Sequence, residues 1–173
     1  TAALKLVGES FPWSESSEFA YTVQNHNSVL GIREYAAEQG ASFSALEYES
    51  LLARLDDAPE LTGAPARTAA VGQEPTRSLF AFPGECNFSG QKLDLRLIDL
   101  FQSGRAGQAA STGDWCVLLD AAKLAATSSL DLSEHPVDFV CISFYKMFGY
   151  PTGLGALLVR RDRAPLLRRT YFG

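Results

Sequence analysis

Two polar residues stand where a buried strand would hand over to a loop. Asp120 follows Trp115-Cys116-Val117-Leu118-Leu119, and Lys146 follows Phe139-Val140-Cys141-Ile142-Ser143-Phe144-Tyr145. A carboxylate at the end of an apolar run is costly to desolvate unless it gains a cationic or hydrogen-bonding partner. Asp120 therefore either pairs with a cation or serves as the N-cap of the segment opening at Ala121. For Lys146, a solvated surface position is the ordinary fate of a lysine. Beside Met147 and Phe148, however, desolvation disfavours the ammonium and frees a lone pair that can attack a carbonyl. That is the chemistry of a Schiff-base lysine. Gly149, Pro151, Gly153 and Gly155 then allow either a turn into a further strand or a close backbone approach to a bound group. Gly153-Leu154-Gly155 precedes a strand and lacks a third glycine, so it is not a dinucleotide fingerprint.

The elements that must hold these residues are legible in the apolar pattern. Trp115 to Leu119, Phe139 to Phe144 and Gly155 to Val159 are continuous apolar runs bounded by polar residues or glycine, as strands buried on both faces would be. Ala121 to Ala126 and a turn at Asp131 to Glu134 allow a short crossover between the first two. The expectation is an α/β fold with a mostly parallel sheet covered by helices. Earlier in the chain, Ala2 to Val7 favours helix, with Thr1 at its N-terminus. Phe11-Pro12-Trp13 ends it, because a residue before proline is pushed away from helical angles. Val29, Ile32, Tyr35 and Ala36 recur at helical spacing, with Asn27 or Ser28 as cap, Gly40 as stop and His26 just ahead. Ala45 to Leu55 and Leu93 to Phe101 suggest further helices, and Ser78 to Phe82 a strand. Asp56 to Arg77, rich in Ala, Pro, Gly and Thr, reads as a surface connection.

Composition narrows the function classes. The chain has 173 residues, 46% hydrophobic and 20% charged, enough for one domain whose core needs neither disulfides nor a structural metal. Its 15 basic against 20 acidic side chains give a net charge of −5. Polyanion partners require clustered Lys and Arg, so neither nucleic acid nor an acidic membrane is expected. Cys86, Cys116 and Cys141 fit neither a zinc spacing nor a disulfide framework. They read as reduced thiols of a cytoplasmic protein, and no metal site is expected. No apolar run approaches the roughly 20 residues that span a bilayer. The opening Thr1-Ala2-Ala3, without Met, reads as the start of a fragment.

Several stretches together carry a family resemblance. Asp120-Ala121-Ala122, Asp138-Phe139 with Ser143-Phe144-Tyr145-Lys146, and Gly149-Tyr150-Pro151-Thr152-Gly153-Leu154-Gly155 resemble the cofactor core of the fold-type I pyridoxal-phosphate (PLP) enzymes. The similarity is to the class V aminotransferase and cysteine desulfurase group. Within it, the run from Ser143 to Leu157 resembles the molybdenum cofactor sulfurases, as do Thr1 to Glu9 and Asn87-Phe88-Ser89-Gly90. The resemblance implies that residues 1–173 are the central part of one PLP-binding, class V-like domain. An upstream glycine-rich part of the phosphate loop and a small carboxyl-terminal domain would lie outside it.

The same resemblance implies residue roles. Lys146 would form the Schiff base with pyridoxal 5'-phosphate, Asp120 would pair with the pyridinium nitrogen, and His26 would stack on the ring and handle protons. Thr1 and Ser143 match phosphate-binding positions, Asn87 the position near the ring hydroxyl, and Ala122 is carried over as a further cofactor contact. Read without the family, His26 is equally a surface histidine at a helix start, and Asn87 a turn former ahead of Ser89-Gly90. Lys123 and Tyr145 depart from the glutamine and histidine of the wider desulfurase pattern. The implied reaction moves sulfur from L-cysteine to an enzyme thiolate, releases L-alanine and passes the persulfide sulfur to the molybdenum cofactor. The family's acceptor cysteine lies on a loop beyond this chain. Cys116 and Cys141 sit in apolar strands where thiolate is disfavoured, and Cys86 in a loop. A homodimer is expected by analogy. The alternatives are another PLP-dependent desulfurase or aminotransferase, and a non-catalytic fragment of the fold that binds no cofactor.

Overall fold

A computed structural model describes residues 1–57, 76–106, 114–150 and 152–168. Most of the surface connection expected between Asp56 and Arg77 lies outside them. The two most apolar strands are β3 (Arg77–Pro83) and β4 (Asp114–Asp120), each buried at every residue but its first. They pair in parallel from Arg77↔Asp114 to Pro83↔Asp120. Around them run β1 (Glu18–Thr22), β2 (Ser42–Leu46), β5 (Phe139–Ser143) and β6 (Gly155–Val159). Among the described residues these form one six-stranded sheet in the order β2-β1-β3-β4-β5-β6. Every neighbouring pair is parallel except β5 and β6.

Alternation along the strands divides the core into two layers. Phe80, Phe82, Val117 and Leu119 pack with Leu51 and Leu55 of α4 (Tyr48–Asp56) and with Leu97, Leu100 and Phe101 of α5 (Leu97–Gln102). Leu79, Ala81, Cys116 and Leu118 face the other way, onto α1 (Ala2–Ser10), α2 (Asn27–Leu30) and α3 (Ile32–Glu38). Fully burying one such side chain stabilises by roughly 1.5–3 kcal/mol. The α/β architecture with a mostly parallel, helix-covered sheet is therefore present.

Several expectations change. The strands β1 and β2 carry no long apolar run, and the sequence pattern does not announce them; β2 is an edge strand, largely exposed. Ala45 and Leu46 belong to β2, paired with Tyr21 and Thr22, so the helix expected from Ala45 begins at Tyr48. The helix expected from Asn27 to Gly40 divides at Gly31, and its cap is His26 rather than Asn27 or Ser28. The last apolar run, β6, is antiparallel and half-exposed, because it lies at the sheet edge with Leu157 and Val159 packed on only one layer. Strand β5 stops at Ser143, and Phe144–Phe148 turns into α7, so Lys146 stands in a single helical turn. The crossover after β4 is α6 (Leu124–Thr127).

A charged cluster locks the amino ends of the central strands. Asp138 is fully buried and accepts hydrogen bonds from the Val117 amide at 2.8 Å, Gln102 at 2.9 Å and Arg163 Nε at 3.0 Å. Arg160 lies 3.0 Å from the same carboxylate. Arg163 also grips Asp114 with two hydrogen bonds of 2.5 and 2.8 Å. Burial works against the Arg163 charge, but these two carboxylates hold its ionisation above the ordinary arginine range. Arg163→Met would leave Arg160 as the described cation on Asp138, and removing one partner of a buried ion pair costs about 3 kcal/mol or more. The expected drop in unfolding free energy is measurable by urea titration; a loss below about 1 kcal/mol would contradict this account.

Candidate functional site

A cavity of about 490 Å³ opens beyond the carboxyl ends of β1, β3, β4 and β5. Chain order reverses direction across the sheet between β1 and β3, the place where open parallel sheets leave a crevice for ligands. Thr1, His26, Asn87, Asp120, Ala122, Ser143 and Lys146 all line this cavity, so every position singled out in the sequence reaches the same space.

Thr1 caps α1, whose first residues Ala2, Ala3 and Leu4 also line the wall. The amides of a first helical turn lack intrahelical acceptors and favour an anion. Thr1 Oγ1 lies 2.9 Å from Ser28 Oγ, which lies 2.9 Å from His26 Nδ1. The Ser28 amide donates to that same Nδ1 at 3.1 Å. Nδ1 is therefore an acceptor, and the proton of the neutral ring sits on Nε2. His26 thus caps α2 and lines the cavity at once. Ser28 enters the sequence pattern only as a cap; its spacing two residues after His26 is the one signal of this further contact.

Asp120, 5% exposed, ends β4. Its Oδ1 accepts the Ala122 amide at 3.0 Å, so it caps the turn that precedes α6. Among the described residues no hydrogen bond or ion pair engages its Oδ2. A nearly buried carboxylate with one oxygen uncommitted is suited to a donor or cation bound in the cavity. Across from it, Lys146 Nζ donates to Asn87 Oδ1 at 2.5 Å, joining residues 59 positions apart. The expected apolar enclosure of Lys146 is corrected: the residue is half-buried, while Tyr145, Met147 and Phe148 are 41%, 40% and 76% exposed. Its short helix leaves the sheet instead of continuing the strand. Ser143 is held where β5 pairs with Gly155 of β6. A Cβ on Gly155 would come 2.3 Å from the Ile142 carbonyl oxygen, so this close approach requires glycine. Tyr145 and Gly153 to Leu157 also line the cavity.

Lys123 is not part of the lining. Its ammonium lies 3.3 Å from Glu85 Oε1 and donates to the Cys86 carbonyl at 3.2 Å. The three thiols differ in setting. Burial, with Asp120 nearby, pushes Cys141 up to about 12, and burial also raises Cys116. Burial acts the same way on Cys86, but hydrogen bonds from the Ser89 hydroxyl and the Ser89 and Phe88 amides, with the Lys123 charge, outweigh it and lower its pKa. Among the described residues no group of three or more His, Cys, Asp or Glu is placed to hold a metal ion, and no helix is long and apolar enough to cross a membrane.

The backbone carries the fold of the PLP-dependent cysteine desulfurases. It superposes on the cystine C-S lyase C-DES in complex with its reaction product cysteine persulfide, with a TM-score of 0.73 and 24% identity, over 99% of this chain and 42% of that one. A C-DES mutant with glycine covalently linked to its PLP cofactor superposes with a TM-score of 0.74 and 22% identity, over the same 99% and 42%. Residues 101–173 match the Aminotransferase class-V family. Molybdenum cofactor sulfurases are among the sequences that align with nearly the whole chain. The one from Arabidopsis thaliana is 49% identical over 193 residues, covering 99% of this chain and 23% of that protein. The one from Homo sapiens is 46% identical over 181 residues, covering 100% and 19%. The chain thus spans about a fifth of the length of these curated relatives.

The thiol settings predict selective alkylation. Cys86 should reach its thiolate below the ordinary thiol value of 9.0, and Cys116 and Cys141 only above it. Iodoacetamide at pH 8 should therefore modify Cys86 of the folded chain first, as read by peptide mass mapping. Equal modification of all three before unfolding would contradict the described burial.

Proposed function

We propose that this chain is the central part of the PLP-binding domain of a molybdenum cofactor sulfurase, a PLP-dependent sulfurtransferase. The observation that carries the reading is the convergence of six separate chain segments on one cavity, with the uncommitted oxygen of Asp120 and the amine of Lys146 both available to it. Identity of 46–49% to molybdenum cofactor sulfurases along nearly the whole chain supports the same conclusion.

The residues present fit pyridoxal 5'-phosphate. A cationic ring nitrogen is the partner that Asp120 Oδ2 lacks, and a hydrogen bond to a charged group is worth about 1.5–3 kcal/mol. Lys146 Nζ is the covalent attachment point, and Asn87 Oδ1 holds and orients that amine. Thr1, Ser143 and the first amides of α1 would hold the phosphate, while Ala122 lines the wall beside Asp120. His26 would stack on the ring, and its Nδ1 acceptor bonds keep a transferable proton on Nε2. When bound, the cofactor supplies an electron-withdrawing ring that stabilises negative charge at the α-carbon of an amino acid.

The substrate in this reading is L-cysteine. Its sulfur is taken by an enzyme thiolate as a persulfide, L-alanine is released, and the sulfur passes to the molybdenum cofactor. Cys116 and Cys141 are buried, which raises the pKa of each thiol and disfavours the thiolate, so they do not suit the acceptor role. That role is assigned to a cysteine elsewhere in the longer protein. A homodimer and a cytoplasmic location belong to the same proposal.

The full chain, incubated with pyridoxal phosphate, reduced with borohydride and digested, should carry pyridoxyl label on Lys146 when folded and lose that selectivity in urea. Lys146→Ala should abolish the specific label, and Asp120→Ala should weaken pyridoxal phosphate binding about 10- to 100-fold. Added L-cysteine should then yield alanine. Label spread over surface lysines to the same extent in folded and unfolded chain would overturn the reading.

A further inference from the structure

The loop that presents Asn87 is closed by backbone hydrogen bonds from the Gly90 amide to the Cys86 carbonyl at 3.0 Å and from the Leu93 amide to the Gly84 carbonyl at 3.1 Å. It leaves β3 at Gly84 and returns as a small hairpin, with Glu85 bridged to Lys92 and the Cys86 amide bonded to the Gln91 carbonyl at 2.8 Å. Asn87, Phe88 and Ser89 form its exposed tip, and Phe88 is 100% exposed. Yet Asn87 Oδ1 meets Lys146 Nζ at 2.5 Å. Further contacts join the base of the hairpin to the rest of the fold.

That base is gripped by the segment following β4. Gly84 lies so close to α6 that an added Cβ would come 2.5 Å from Leu124. Glu85, 6% exposed, receives the Thr127 hydroxyl on Oε2 and the Lys123 ammonium at 3.3 Å from Oε1. Lys123 Nζ also donates to the carbonyl of Cys86, the residue before Asn87, at 3.2 Å. The Thr127 hydrogen bond, opposed by partial desolvation and aided by Lys123, holds the Glu85 carboxyl below the usual carboxylate range. It is therefore anionic at neutral pH. An ammonium has three donors and can serve the carboxylate and the carbonyl together. The same short stretch of chain carries Asp120 and Ala122 into the cavity.

We propose that Lys123 is a positioning residue: bridging Glu85 and the Cys86 carbonyl, it fixes the Asn87 hairpin against the Asp120 segment and so sets where Asn87 meets Lys146. Lys123 then acts on the cofactor pocket from outside it, through Asn87. The inference rests on the PLP reading of the cavity, and its test separates the two.

The readout is the pyridoxal phosphate concentration giving half-maximal borohydride-trapped label on Lys146 of the full chain. Lys123→Met and Asn87→Ala should each raise it about tenfold, the size of coupling expected within one hydrogen-bonded network. The double variant should rise no further than either single one, and Lys123→Arg should recover most of the loss. Glu85→Gln, which keeps the shape and removes only the charge, should match Lys123→Met and decides the question if that variant unfolds. An unchanged half-maximum in both Lys123→Met and Glu85→Gln, or additive effects of Lys123→Met and Asn87→Ala, overturns the positioning role while leaving the cavity reading intact. Absence of selective Lys146 label in the unaltered protein overturns the cavity reading and this inference with it.

Discussion

Polar chemistry is excluded from the middle of this sheet. Strands β3 and β4 are buried on both faces, between a layer containing α4 and α5 and a layer containing α1 to α3. A charged side chain inside them would be desolvated without a partner. Charged and hydrogen-bonding groups therefore gather at the strand ends. At the amino ends, Arg163 and Arg160 pair with the carboxylates of Asp114 and Asp138 and fasten β4 and β5. At the carboxyl ends, Asp120 retains an oxygen that no described residue engages, and the cavity lies there. One end is closed by ion pairing, and the other is left open to a ligand.

The cavity wall is built from residues that also serve as local structural fittings. His26 caps α2, Asp120 caps the turn before α6, Thr1 caps α1, and Asn87 occupies a hairpin tip. Each such role fixes a backbone direction, and that direction brings the side chain to the cavity. The hydroxyl chain from Thr1 through Ser28 to His26 ties the amino end of α1 to the imidazole. Structural and chemical explanations of these residues are therefore not rivals. A cap that accepts an amide on one atom leaves its other atom for a ligand, as Asp120 does with Oδ1 and Oδ2.

The similarity to molybdenum cofactor sulfurases covers the chain, while the chain covers only about a fifth of those proteins. The cavity is walled by strand ends and lined in part by the exposed side chains of Tyr145 and Leu154. The proposed sulfur chemistry is divided: the groups suited to hold the cofactor are here, and the acceptor thiol is assigned elsewhere. Tyr145, one departure from the wider desulfurase pattern, remains at the cavity wall, whereas Lys123, the other, turns to the Asn87 hairpin.

Read alone, the sequence determined the central strands and the α/β class, and it singled out residues that the fold brings to one cavity. Long apolar runs ending in Asp120 and near Lys146 have few other stable solutions, and proline, glycine and capping residues punctuate locally. It did not reveal β1 and β2, whose short, mixed composition becomes strand only by pairing with a sheet already present. Nor did it reveal that Lys146 leaves the strand, that β6 runs antiparallel, or that Lys123 serves a hairpin. These depend on contacts between residues far apart in the chain, such as Lys146 with Asn87 and Lys123 with Glu85. Local propensity carries no information about which distant group a side chain will meet, and only the packed sheet decides it.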